Sequence, residues 1–141
     1  MENNIYPCLW FDGQAQAAAK FYCSIFKNAK IKADNQMVVE FELDGKKFIG
    51  LNGGPAFTFN EAVSFVIDCE TQEDIDYYWE KLTADGGSEG NCGWLKDKFG
   101  VSWQVVPTIL PKLLSDPDKA QRVMVVYMKM KKFDIKALEN A

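Results

Sequence analysis

The chain has 141 residues, 48% hydrophobic and 13% aromatic, with a formal net charge of −4 and no histidine. That length suits one globular domain burying about 70% of its unfolded surface, with no need of a metal or disulfide staple. The interspersed, mildly acidic charge excludes a phosphate-binding surface, so no nucleic-acid partner is expected. Cys8, Cys23, Cys69 and Cys92 lack the spacing of a zinc set, no apolar run approaches the ~20 residues of a membrane span, and no signal-peptide layout opens the chain. A cytoplasmic protein with reduced thiols and no membrane partner is the expectation.

Ile5 to Phe11 reads as a buried strand ending at Asp12-Gly13. Asp12 can cap the next helix, whose stripe is Ala18, Phe21, Tyr22, Ile25 and Phe26, with Asn28 placed to end it. Residues 29–34 are a weak strand candidate. From Gln36 to Leu43 the chain alternates, Val39, Phe41 and Leu43 against Val38, Glu40 and Glu42; Asp44-Gly45 makes a hairpin turn, and Lys47 to Leu51 returns. The stretch Asn52-Gly53-Gly54-Pro55 breaks this pattern and opens a loop carrying Phe57 and Phe59.

The same order then recurs. Ala62 to Cys69 is strand-like, Thr71 caps a helix with the stripe Ile75, Tyr78, Trp79 and Leu82, and Gly86-Gly87 stops it. Cys92–Lys96 and Val101–Val106 flank the turn Asp97 to Gly100. Beyond Pro107, Asp116-Pro117 starts a helix expected over 117–130, with Met124, Met128 and Met130 filling its seam with the body, and Asp134 caps a last turn through Leu138. The fold class is therefore α+β: two β-α-β-β-β modules, about 5–54 and 62–107, and a helical tail 108–141, together making a single domain.

The motifs Cys8-Leu9-Trp10-Phe11, Phe41-Glu42-Leu43-Asp44-Gly45, Leu51-Asn52-Gly53-Gly54-Pro55 and Gly93-Trp94-Leu95-Lys96-Asp97 resemble the PhnB-like branch of the vicinal-oxygen-chelate superfamily. That superfamily includes glyoxalase I, extradiol dioxygenases and bleomycin-resistance proteins. Ser102-Trp103-Gln104 and the stretch Leu113 to Pro117 extend the likeness along nearly the whole chain. The resemblance implies curved mixed sheets with outer helices, a concave binding face and a homodimer. Members carry the label 3-demethylubiquinone-9 3-methyltransferase, yet this chain has no G-x-G turn between strand and helix to hold a methyl-donor nucleotide.

In metal-using relatives of this superfamily four inner-facing positions hold the ion. Aligned on Phe21-Tyr22 and on the turn Asp97 to Gly100, those positions fall on Pro7, near Gly50, on Ser64 and on Gln104. Such a set does not suit zinc, iron or nickel, so neither metal nor cofactor is expected. The same alignment turns Leu9 and Phe11 inward. With Asn52, Ser64, Trp94, Ser102 and Gln104 they make an apolar and uncharged-polar lining, which suits a small organic ligand, and Phe57 and Phe59 form a candidate lid. The leading expectation is a metal-free small-molecule-binding protein. Its rivals are an enzyme using Glu40 or Glu42 as general base and a degenerate member acting through protein contacts.

Overall fold

The computed structural model describes residues 4–141, which divide into two compact units with the boundary between Phe59 and Asn60. In the first unit β1 (Cys8–Phe11), α1 (Ala15–Ile25), β2 (Lys30–Asp34), β3 (Val38–Leu43) and β4 (Lys46–Asn52) follow one another. The strands form one sheet in the order β1-β4-β3-β2, with β1 parallel to β4 and the other neighbours antiparallel. Asp44 and Gly45 both take positive φ, 53° and 74°, the geometry of a two-residue hairpin turn that matches strand twist. Between Ile31 and Ala33 the register slips by a bulge on the outer strand β2.

Helix α1 buries Ala15, Ala18, Ala19, Tyr22 and Ile25. Its small residues allow a close approach to the sheet: a Cβ added at Gly50 would lie 3.2 Å from that of Ala15 and 3.6 Å from the ring of Phe11. This contact fixes which face lies beneath the helix. Gly50 is the register partner of Leu9 and Val39, and Phe41 of Phe48, so Leu9, Phe11, Val39, Phe41 and Phe48 form the core under α1.

The expectation that Leu9 and Phe11 line an open inner face is therefore corrected; they are 7% and 2% exposed. Cys8 and Trp10 occupy the inner face instead. The physical reason is the two-residue period of a strand: the alignment on Phe21-Tyr22 is one residue out of the register in which Leu9 pairs with Gly50, and such a slip turns every side chain to the other face. Asn52 is corrected with them. As the register partner of Phe11 it turns toward the helix, where its Oδ1 accepts from the Ala15 amide at 2.8 Å and its Nδ2 donates to Gln16 Oε1 and to the Gln36 carbonyl. Asn52 thus provides the first-turn bond expected of Asp12; Gln14 stands at the N-cap without a side-chain bond.

The second unit contains β5 (Ser64–Cys69), α2 (Gln72–Thr83), a 3-10 turn at Ala84–Gly86, β6 (Ser88–Glu89), β7 (Trp94–Lys96) and β8 (Ser102–Pro107). Its sheet runs β5-β8-β7-β6, repeating the connectivity of the first. Thr71 caps α2 by accepting from the Asp74 amide at 3.1 Å, and Ile75, Trp79 and Leu82 are buried. The turn between β7 and β8 is organised by the buried Asp97. Its Oδ1 accepts from the amides of Phe99 and Val101, and its Oδ2 accepts from the Trp103 indole at 2.9 Å.

The tail holds three helices, α3 (Ile109–Ser115), α4 (Ala120–Tyr127) and α5 (Ile135–Glu139); α4 lies within the helix expected over 117–130 but is shorter, α5 is the last turn expected after Asp134, and α3 was not expected. Asp134 caps α5 by accepting from the Ala137 amide. Val123, Phe133 and Leu138 fill the seam, while Met124 and Met128 are 44% and 63% exposed, against expectation. An eight-residue helix buries only a narrow stripe, and positions 124 and 128 lie about 100° round from 123 and 127. The segment between α4 and α5 is clasped to the unit. Cys92 and Gly93 donate to the carbonyls of Met130 and Lys131 at 2.8 Å, Gln72 bonds both the Phe133 carbonyl and the Ile135 amide, and Lys132 pairs with Asp76 at 2.8 Å.

Candidate functional site

The face of the second sheet turned away from α2 carries the most concentrated polar chemistry. Phe65 and Trp103 are register partners with ring centroids 5.4 Å apart, and Trp103 and Val105 are buried with Leu95 on the helix side. Alternation therefore sends Ser64, Val66, Trp94, Lys96, Ser102 and Gln104 to the inner face. Two rows result. Lys96, Ser102 and Ser64 are direct partners across three strands, and Trp94, Gln104 and Val66 are partners one step along. Partners in such rows hold their Cβ atoms about 5 Å apart.

Within this grid Gln104 donates through Nε2 to Ser64 Oγ at 2.9 Å. Lys96 Nζ meets Glu61 Oε2 at 3.1 Å, and that hydrogen bond, foremost among its contacts, holds the Glu61 carboxyl below its ordinary range. Ser102 is 1% exposed, and its hydroxyl is the buried side-chain oxygen without a hydrogen-bond partner among the described residues. An orphaned buried hydroxyl is destabilising, and native proteins satisfy most such groups. A cavity of about 240 Å³ opens here, lined by Glu61, Ser88, Glu89, Trp94, Lys96 and Ser102 among others. The row offers an ammonium and two hydroxyls as donors, with Trp94 as the apolar wall.

Of the expected site residues, Ser64, Trp94, Ser102 and Gln104 share this face. Glu61 and Lys96 escaped the sequence reading as site residues, although the alternation Trp94-Leu95-Lys96 already places Lys96 on the side of Trp94. The inner face of the first sheet differs. There Trp10, Leu51 and Val38 make an apolar row, followed by Cys8, Ile49 and Glu40. Glu42 lies between its register partners Lys30 and Lys47 and stands 3.9 Å from Lys32, and Lys47 lies 4.0 Å from the centroid of the Tyr6 ring. Glu40 is half-buried beside Ile49 on the same face.

Phe57 packs edge-on against Trp10 at 4.9 Å, whose indole donates to the Gly54 carbonyl at 2.8 Å, and Phe59 packs on Phe11 at 5.3 Å. Phe57 thus sits on the inner face of the first unit, 66% exposed, while Phe59 extends its core. A second cavity, of about 600 Å³, lies in the second unit between the start of α2 and α5, with Gln72, Ile109, Asp134 and Lys136 in its walls. Its uncharged polar side chains are already engaged, Gln72 at both ends with the tail and Thr71 with the Asp74 amide, so the smaller cavity is the better candidate.

A divalent metal does not suit the residues present. Gly50, in the first unit, faces α1 and offers no side-chain donor, and in the second unit Ser64 and Gln104 offer only a hydroxyl and an amide, bonded to each other. Among the described residues no three of His, Cys, Asp and Glu are grouped to hold an ion. A nucleotide methyl donor fits no better: the turn between β1 and α1 is Asp12-Gly13-Gln14, and the Ala15 amide that opens the helix is bonded to Asn52. Among the described residues no helix is long and apolar enough to cross a membrane.

Solved structures share this paired-module architecture. The fosfomycin resistance protein FosX from Listeria monocytogenes, solved with Mn(II) and sulfate, superposes with a TM-score of 0.59 at 15% identity, covering 80% of this chain and 96% of that one. A glyoxalase/bleomycin resistance protein from Albidiferax ferrireducens T118 gives 0.54 at 16%, covering 72% and 95%. The fold is therefore glyoxalase-like. The PhnB protein from Bacillus cereus, which bears the 3-demethylubiquinone-9 3-methyltransferase description, is 31% identical with a TM-score of 0.69, covering 75% of this chain and all of that one. The model of the family described as 3-demethylubiquinone-9 3-methyltransferase matches residues 3–106, and the chain belongs to that family. The match stops before the helical tail. No curated protein matches the chain.

Proposed function

We propose that this is a metal-independent, glyoxalase-like protein that binds a small organic molecule on the inner face of its second sheet. The observation that carries the reading is the 240 Å³ cavity in which Trp94, Lys96 and the unpartnered hydroxyl of Ser102 converge. Ligand sites combine an apolar wall with a few placed polar groups, and this cavity has both. Ser64 and Gln104 support the same face through their mutual hydrogen bond. The donor set argues against a tightly held transition metal, because hydroxyl, amide and ammonium groups are poor ligands for one. The reading includes a homodimer, supported by the sheet edges β1, β2, β5 and β6, each of which has one strand neighbour among the described residues.

Two measurements test the proposal together. Elemental analysis of protein purified without chelator is expected to show no stoichiometric zinc, iron, nickel or manganese. A fragment screen by NMR is expected to shift the Trp94 indole and the Ser102 and Gln104 amides. A full equivalent of bound transition metal overturns the metal-independent reading. Fragments that bind only elsewhere overturn the site.

A further inference from the structure

Resting on that cavity as the binding site, we infer that its ligand is a small organic anion, a carboxylate on an apolar body, and that Glu61 holds the place of this carboxylate in the free protein. The row Lys96, Ser102 and Ser64 presents donors side by side. The Ser64 oxygen already accepts from Gln104, so its own proton is left to donate. Ser102 has a hydroxyl proton with no acceptor. Of these adjacent donors Lys96 and Ser102 line the cavity, with Ser64 beside them in the row, and an ammonium next to a free hydroxyl calls for an acceptor-only partner with two oxygens, which is the chemistry of a carboxylate.

Glu61 already supplies one such group to Lys96 from the side, at 3.1 Å. It is an intramolecular carboxylate on the cation, yet it leaves Ser102 unbonded. Its side chain is 63% exposed, so little packing opposes its displacement. Trp94 and the 57%-exposed Val66 supply the apolar surface one row along. The volume, about 240 Å³, falls below the roughly 300–1,000 Å³ of pockets for drug-sized ligands, which limits the ligand to a compact body. Glu89 in the wall selects against an additional negative charge on that body.

The test uses the full chain and matched probes: benzoate, its neutral isostere benzamide, and inorganic phosphate at equal ionic strength. Benzoate is expected to bind saturably, shifting Trp94 and Ser102, several-fold more tightly than benzamide, while phosphate gives no saturable shift. Lys96→Gln should weaken benzoate about fivefold, a loss moderated by the partial exposure of the ammonium. Glu61→Gln should strengthen it by removing the competitor. Ser102→Ala should weaken benzoate and at the same time raise the melting temperature of the free protein, because it deletes an unsatisfied buried hydroxyl. A serine with only a packing role would leave affinity unchanged.

Equal binding of benzoate and benzamide at the cavity, indifferent to all three variants, overturns the anion inference and leaves the small-molecule reading standing. Phosphate matching benzoate overturns the organic body. Silence at the cavity with every probe overturns the inference, and the general fragment screen then decides the broader reading separately.

Discussion

Asp97 determines the geometry of the candidate site, and its replacement gives the most quantitative test of this structure. It lies in the turn between β7 and β8, adjacent to Lys96, and is 2% exposed. Its two oxygens receive the Phe99 and Val101 amides at 2.9 and 3.1 Å and the Trp103 indole at 2.9 Å. Asp97→Asn keeps Oδ1 for the two amides but sets an amide nitrogen against the indole donor. One buried donor left unsatisfied costs about 1–3 kcal/mol, so a loss near 2 kcal/mol is expected. Asp97→Ala strands the buried Val101 and Trp103 donors together, for a loss of about 2–5 kcal/mol after relief of the desolvated carboxylate. Urea denaturation followed by tryptophan fluorescence measures both. With a slope of about 2 kcal/mol/M, the asparagine variant should shift the midpoint down by about 1 M at constant slope. An asparagine variant within about 0.5 kcal/mol of the parent, the scatter of ordinary surface changes, would refute the claim that this carboxylate organises the turn.

Asn52→Ala should lower stability by about 1–2 kcal/mol, as loss of a helix cap does, while leaving benzoate affinity intact; a loss of affinity at unchanged melting temperature would return Asn52 to the binding surface. Gly93→Ala places a Cβ 2.5 Å from the Phe133 ring at a φ of 82°, so a loss above about 3 kcal/mol and faster proteolysis of the tail are expected, and a parent-like proteolysis rate would contradict the clasp. Burial, aided by the Asp74 and Asp68 charges, pushes the Cys69 thiol from 9.0 up to about 12. Because the folded value is the higher one, its contribution to stability is complete below pH 9 and is lost as pH rises from about 9 toward 12. Native thiol titration at pH 8 should accordingly modify the exposed Cys8 and spare Cys69, and rapid labelling of Cys69 would show that β5 opens readily.

Most of the architecture was legible because both modules carry clean periods. The alternation Val39, Phe41, Leu43, the turn Asp44-Gly45 and the cap at Thr71 each appear where the residues put them. The tail was legible only in part: Asp134 announces its helix and Asp116-Pro117 the start of the one before it, but α3 opens at Thr108 with no side-chain cap to mark it. Side-chain direction on β1 was the costliest error. Leu9 and Phe11 are apolar, and apolar residues suit a ligand wall and a core equally well, so composition could not choose between the faces. The choice depended on one residue of register, which the close approach of Gly50 to Ala15 and the burial of Leu9 and Phe11 resolve.

The second module escaped that ambiguity for a physical reason. Its inner positions, Ser64, Ser102 and Gln104, are polar, whereas Phe65, Trp103 and Val105 between them are not, so alternation alone orients both strands. A strand marked by polarity carries its own register; a strand of leucine, tryptophan and phenylalanine does not. The same contrast bears on function. Polar residues at sheet positions as buried as Ser102 are destabilising unless something bonds them, and in the free protein nothing among the described residues does. The first sheet, by comparison, offers Trp10, Ile49 and Leu51 to its inner face and carries the ion pair Lys32–Glu42. The unpartnered hydroxyl of Ser102 is suited to a ligand's acceptor, and it is the one such buried side-chain group among the described residues.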